Sequence, residues 1–262
     1  MYELRTVCNH TFAENEKPHE CGRQKGEKKM KKIIAMLLAL VMTVAVVGCA
    51  AEPAETPDVK GEGVMTYAEY AAAALDSEVV IETYVQGKQS WWDNKGTFYT
   101  QDKDGAYFIY EMGCTEEEYN KLTPGTKIKV TGYKAEWAGE VEIIDAKWEI
   151  LEGNYVAAPV DLTDKLGTEE LINYQNQLAA FKGMTVEAVE YRNGEPGDDI
   201  YVTLGLNGAS YSFCVEVYLT GTASDVYTTV GTLAVGDVVD VEGYLYWYEG
   251  ANPHITSITK AQ

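Results

Sequence analysis

A nine-residue phrase written twice constrains this chain more than anything else in it. Gly125-Thr126-Lys127-Ile128-Lys129-Val130-Thr131-Gly132-Tyr133 matches Gly236-Asp237-Val238-Val239-Asp240-Val241-Glu242-Gly243-Tyr244 at a constant offset of 111 residues. Two aliphatics two positions apart mark one face of a strand, between a leading Gly and a closing Gly-Tyr. The flanks repeat as well. In the first copy Thr66-Tyr67-Ala68-Glu69 is a capping box that opens a short helix running to Leu75. Val79, Ile81, Thr83 and Val85 then alternate with Glu82, Tyr84 and Gln86 as strand one. Residues 97–101 and 106–112 read as a hairpin about Asp104-Gly105, a pair that tolerates the positive φ of a tight turn. Residues 115–122, acidic at their start, read as a second short helix that Pro124-Gly125 stops, with strands four and five over 127–133 and 140–148. The second copy keeps this order: Thr168 caps a helix over 169–180, and strands follow over 184–191, 200–206 and 209–217. Asn207-Gly208 stands where Asp104-Gly105 stood, and residues 221–231 lengthen the connection before strand four. The same grammar twice points to duplication.

A strand, a hairpin, a helical connection and a final hairpin is an order that resembles the OB-fold, a five-stranded Greek-key barrel. The expected fold is therefore mostly β: two tandem five-stranded OB-like barrels, each preceded by a short helix, over 65–152 and 168–262, with a linker over 153–167. The chain's 262 residues suffice for two small cores. A pair of small β-sandwiches is the structural alternative. In wording the chain also resembles the secreted OB-domain lipoproteins of Gram-positive gut bacteria.

That resemblance begins at the N-terminal side. Lys31 and Lys32 precede an uncharged run over 33–48 that is short for a membrane span and reads as a secretory signal over 30–48. Val46-Val47-Gly48-Cys49 resembles the bacterial lipobox, which implies cleavage before Cys49, lipid on its sulfur, and an extracytoplasmic protein held at the cell membrane. Two acyl chains make such an anchor stable where one is marginal. Residues 49–64, rich in Ala, Glu, Pro and Gly, read as a flexible tether. Residues 1–29 fit no signal, and Lys25-Gly26-Glu27-Lys28-Lys29 is encodable as a ribosome-binding sequence, so translation is expected to start at Met30. On that reading Cys8, His10, His19 and Cys21 are not a zinc set.

Cleavage would leave 13 basic and 36 acidic side chains, a net charge of −23. A polyanion would meet repulsion over such a surface, and nucleic acid is not expected among the partners. Cys114 and Cys214 occupy inequivalent places in the two copies and are expected to be separate, partly buried thiols. Beyond Cys49 the only histidine is His254, and no Gly-x-Ser-x-Gly, His-Glu-x-x-His, phosphate-loop or dinucleotide fingerprint occurs. No enzymatic activity and no cofactor is expected, and His254 is expected to bond to backbone. Asp102-Lys103-Asp104-Gly105 lacks the remaining ligands of a calcium loop and reads as a hairpin, so no metal site is expected.

The OB resemblance implies that ligands lie across strands two and three, flanked by the loops joining strands one to two and four to five. Those loops carry Trp91, Trp92 and Trp137 in the first copy and Tyr191, Arg192, Tyr246, Trp247 and Tyr248 in the second. Flat aromatic faces there would stack on sugars, bases or apolar side chains. The expected function is a non-catalytic, membrane-anchored binding or adaptor lipoprotein for a glycan, a peptide, a small cation or an envelope protein. The alternatives are an extracytoplasmic single-stranded nucleic-acid binder and a weak hydrolase or hydrolase subunit. Few basic residues, Lys88, Lys95, Lys103, Lys134 and Arg192, surround the candidate loops.

Overall fold

The structure, a computed structural model, describes residues 58–261. The upstream extension, the signal segment, Cys49 and the tether up to residue 57 lie outside the described residues.

The first half contains α1 (Tyr67–Ala72), β1 (Glu78–Lys88), β2 (Lys95–Gln101), β3 (Ala106–Gly113), α2 (Glu116–Lys121), β4 (Thr126–Trp137) and β5 (Glu140–Asn154). Its strands close in the order β1-β2-β3-β5-β4, the Greek-key order of an OB barrel. Local chemistry starts both helices: Thr66 with Glu69, and Thr115 with Glu118, form reciprocal capping boxes. Alternation fills the barrel, since Val79, Ile81, Val85, Ile128, Val130 and Ile143 are fully buried. Phe98, Tyr107 and Met112 complete this core. The barrel closes through parallel β3 and β5, whose register holds only Phe108 opposite Glu142 and Ile109 opposite Ile143.

The second half contains β6 (Val160–Asp161), β7 (Leu178–Tyr191), β8 (Ile200–Leu206), β9 (Ala209–Val215), α3 (Val217–Thr220), α4 (Asp225–Val230), β10 (Val238–Tyr244) and β11 (His254–Lys260). The sheet order is β10-β11-β9-β8-β7-β6, and β10 also pairs with β7. Its core gathers Phe181, Val202, Phe213 and Val241 with Tyr227 and Val230 of α4. β6 pairs with β7, and Leu162 and Leu166 of the segment between them pack into the same core. The seam between β9 and β11 is narrower than its counterpart, with His254 opposite Cys214.

The repeated phrase delivers matched backbone. Gly125 and Gly236 lead into β4 and β10 with φ of 91° and 92°, a left-handed conformation that glycine adopts without a Cβ clash. Two local readings are corrected. The helix expected over 169–180 is a 3-10 turn, Glu169–Tyr174, after which β7 begins. Thr168 supplies no side-chain cap, and residues 178–181 pair with β10, so strand pairing overrides a helix-forming pattern. The Asp104-Gly105 turn has no positive φ, unlike Asn207 and Gly208 at 53° and 83°. Asp102 Oδ1 instead accepts the N–H groups of Asp104 and Gly105, both at 2.8 Å. Gly105 answers a different need, because a Cβ there would stand 2.3 Å from the Tyr67 ring.

Between the two cores lies a third cluster of Tyr99, Phe108 and Tyr244. The Tyr99 and Tyr244 rings stack at 4.3 Å and 9°. Gln101 Oε1 accepts the Leu178 N–H at 2.9 Å, adding a polar tie from the first barrel to β7. Lys60 ion-pairs with buried Asp102 and donates to the Glu82 carbonyl at 3.0 Å, which ties residues ahead of α1 to the barrel.

Candidate functional site

The outward face of β2 in the first barrel is largely occupied by the second half. Tyr99 and Gln101 point out of the barrel, and both are buried against residues of β7 and β10. The open surface lies next to it, along the two closing seams. Phe108 and Glu142 face each other across the β3–β5 seam, and Cys214 and His254 across the β9–β11 seam. Core residues Ile109 and Ile143 alternate with Phe108, Tyr110 and Glu142, so these three project outward.

Three adjoining cavities make one groove along these seams. The first, of about 410 Å³, lies among Trp92, Lys95, Tyr110, Glu111 and Tyr218. It shares Gln89 and Tyr110 with a second, of about 270 Å³, walled by Phe108, Trp137, Tyr246, Glu142 and Glu216. That one shares Trp137, Glu216 and Tyr246 with a third, of about 290 Å³, which extends to Tyr201, Tyr248, Asn252 and His254. Six large aromatics along this line are exposed: Trp92 by 71%, Tyr218 by 62%, Trp137 by 54%, Tyr248 by 50%, Tyr110 by 42% and Tyr201 by 40%. An exposed row of this kind costs a monomer apolar hydration and is characteristic of contact surfaces.

The expected loop residues divide between groove and core. Trp92, Trp137, Tyr246 and Tyr248 border the groove. Trp137 and Tyr248, from different halves, lie 5.3 Å apart at 37°, and Tyr246 stacks on the His254 ring at 4.4 Å. Trp91 is half-buried on the first core, its indole N–H donating to the Cys114 carbonyl at 3.0 Å. Tyr191 and Trp247 pack against the second core. Tyr110, Tyr201, Tyr218, Glu142 and Glu216 were not singled out by loop position. The usable signal was the strand alternation itself, which sets Tyr110 and Glu142 outward when Ile109 and Ile143 turn in.

Around the groove the polar groups are already ordered. Gln89 Nε2 donates to both carboxylate oxygens of Glu216, at 2.9 and 2.8 Å. His254, expected to bond to backbone, instead sets Nδ1 at 2.7 Å from Tyr99 Oη and 3.3 Å from Glu216 Oε2, because β11 starts with this imidazole edge-on to the Tyr99 ring, 6.2 Å away at 72°. Arg192 pairs with Asp199 at 3.3 Å and Lys95 with Glu111 at 2.7 Å. Lys134 is buried and donates to the carbonyls of Tyr70, Ala71 and Ala73 at the end of α1, while Lys88 lies 3.8 Å over the Tyr119 ring. Burial, followed by the nearby Glu111 charge, holds the Glu142 carboxyl above the usual carboxylate range.

Behind the groove, Glu140 joins the two halves. It is fully buried, and its Oε2 accepts the Trp247 N–H at 2.8 Å and Gln175 Nε2 at 3.2 Å. Burial pushes its pKa up to about 8, against the hydrogen bonds it accepts, which favour the charged form. Cys114 and Cys214 are both buried free thiols, and burial raises both. Among the described residues no cluster of three or more His, Cys, Asp and Glu side chains is arranged to hold a metal ion.

No protein family model and no curated protein matches the chain. Solved structures do resemble it. A murine DNA binding protein bound with double-stranded DNA is similar at 11% identity and a TM-score of 0.33, over 70% of this chain and 96% of that one. The p202 HIN1 chain in complex with a 12-mer double-stranded DNA is similar at 10% identity and a TM-score of 0.34, over 72% of this chain and 96% of that one. A deletion mutant of the single-stranded DNA binding protein from Thermus aquaticus is similar at 13% identity and a TM-score of 0.24, over 71% and 94% of the two chains. Proteins solved with DNA stand among these neighbours, against the expectation that nucleic acid is not among the partners.

Proposed function

We propose that this chain is a membrane-anchored, extracytoplasmic binding lipoprotein without catalytic activity, whose binding surface is the aromatic groove along the two strand seams. The lipid would sit on Cys49, as in the OB-domain lipoproteins that the sequence resembles. The second half is read as a second OB-like barrel, which the pairing of β10 with both β11 and β7 supports. One observation carries the binding proposal: six exposed aromatic side chains from both halves line adjoining cavities instead of being scattered over the surface.

The same faces favour a second reading. Successive bases of a single nucleic-acid strand stack on aromatic rings at about 1–3 kcal/mol each, and Trp92, Tyr110, Trp137 and Tyr248 present such rings in a row. Titrating the purified protein with glycans, peptides, organic cations and labelled oligonucleotides, read by tryptophan fluorescence and anisotropy, separates the two. Trp137→Ala is expected to weaken any saturable binding about tenfold, and a ligand whose binding ignores Trp137 would rule the groove out. For the anchor, labelled palmitate is expected in the expressed protein and absent after Cys49→Ala.

A further inference from the structure

The middle cavity of the groove has a composition that selects one kind of chemical group. Its walls are the rings of Phe108, Tyr110, Trp137 and Tyr246, and two carboxylates, Glu142 and Glu216, open into it. Phe108 and Tyr246 meet edge to face, 5.4 Å apart at 67°, giving a corner of ring surface. Ring faces are the negative ends of aromatic quadrupoles, so the aromatic walls of a cavity of about 270 Å³, with Tyr110 and Trp137 the exposed ones, attract a cation and at the same time satisfy its alkyl groups. Among the described residues, neither Glu142 nor Glu216 is ion-paired to a lysine or arginine. Glu216 is held in place by Gln89 and His254, while Glu142 makes no ion pair and Glu111 beside it is paired with Lys95.

We propose that this cavity binds an organic ammonium group, quaternary or primary, with Glu142 and Glu216 as counter-charges and Trp137 and Tyr246 as the ring faces that enclose it. This rests on the groove being the binding surface, and it names the chemistry of its central subsite. An inorganic cation would leave the ring walls unused, and a neutral sugar would leave two carboxylates without a counter-charge in a partly desolvated place. The group has two sources, a small molecule such as a choline-type or polyamine compound, or the lysine side chain of a peptide.

The test is a titration of the purified protein with tetramethylammonium chloride, spermidine and an oligolysine peptide, beside a neutral cello-oligosaccharide and an oligothymidine. Saturable tryptophan quenching by at least one ammonium probe is expected, weakening with added salt. Preference for tetramethylammonium or spermidine points to the small-molecule source, and preference for oligolysine to the peptide. Glu142→Gln and Trp137→Ala are each expected to weaken that binding about tenfold with the melting temperature unchanged. Unchanged affinity in Glu142→Gln overturns the proposal. So does saturation by the oligosaccharide or oligothymidine with no response to any ammonium, an outcome that leaves the groove standing as a binding surface. If no probe binds, both the proposal and the groove reading fall.

Discussion

The two halves share a phrase and differ in what they bury. Tyr133 and Tyr244 close the repeated segment at equivalent places, yet Tyr133 is 43% exposed while Tyr244 is buried against Tyr99. The first barrel also buries more polar side chains, among them Glu82, Gln86, Gln101, Asp102, Lys134 and Glu140, whereas the second half buries Gln175, Asn176, Asp199 and His254. The reason is position. The outer face of the first barrel receives the second half and the segment ahead of α1, and Gln101, Asp102 and Glu140 bond across those joints. The repeated segment thus keeps its inward aliphatics buried in both halves, while its outward face answers to whatever packs on it.

Both cores should be equally intolerant of truncation. Phe98→Ala in the first and Phe213→Ala in the second are each expected to cost about 3–5 kcal/mol in urea unfolding. A loss confined to one of them would break the equivalence of the two interiors. The hairpins should diverge next. Asp102→Ala removes an ion-pair partner of Lys60, a Tyr107 hydroxyl bond and two turn bonds, for an expected loss of about 3 kcal/mol. Gly208→Ala, forced to φ of 83° in an otherwise open turn, should cost only about 1 kcal/mol. Equal losses would mean that the two turns are held alike.

The joint has a pH signature. The folded pKa of Glu140, about 8, lies above its ordinary value, so the protonated acid is the form that folding favours. Its contribution is fully present below the ordinary carboxylate range and is lost as pH rises towards about 8. Thermal melts across that range should show falling stability, and Glu140→Gln should flatten this component of the slope. The smallest effect belongs to the groove rim: Trp92→Ala should change stability by less than about 0.5 kcal/mol. Trp247→Ala, packed on the second core, should cost clearly more.

Much of the fold was legible because it rests on local chemistry. The capping boxes at Thr66 and Thr115, the alternation through Val79 and Ile81, and the leading glycines Gly125 and Gly236 are each specified by neighbours in the chain. Where partners are distant the reading slipped, as at residues 178–180, whose helix-forming pattern yields to pairing with β10. The site was legible by half. Loop position found Trp92, Trp137, Tyr246 and Tyr248, but it also gathered Trp91, Tyr191 and Trp247, which pack on the cores.

Periodicity and capping, which act over a few residues, were enough to show a mostly β chain and to place many of its strands and their inward faces. Which outward faces would be open was settled only when the halves met. Stacking Tyr244 on Tyr99 covers the β2 face of the first barrel and leaves the two seams side by side. Burial depends on what lies opposite in space, and no segment contains that information about itself. The groove, with Trp137 from one half against Tyr248 from the other, is therefore a property of the packing.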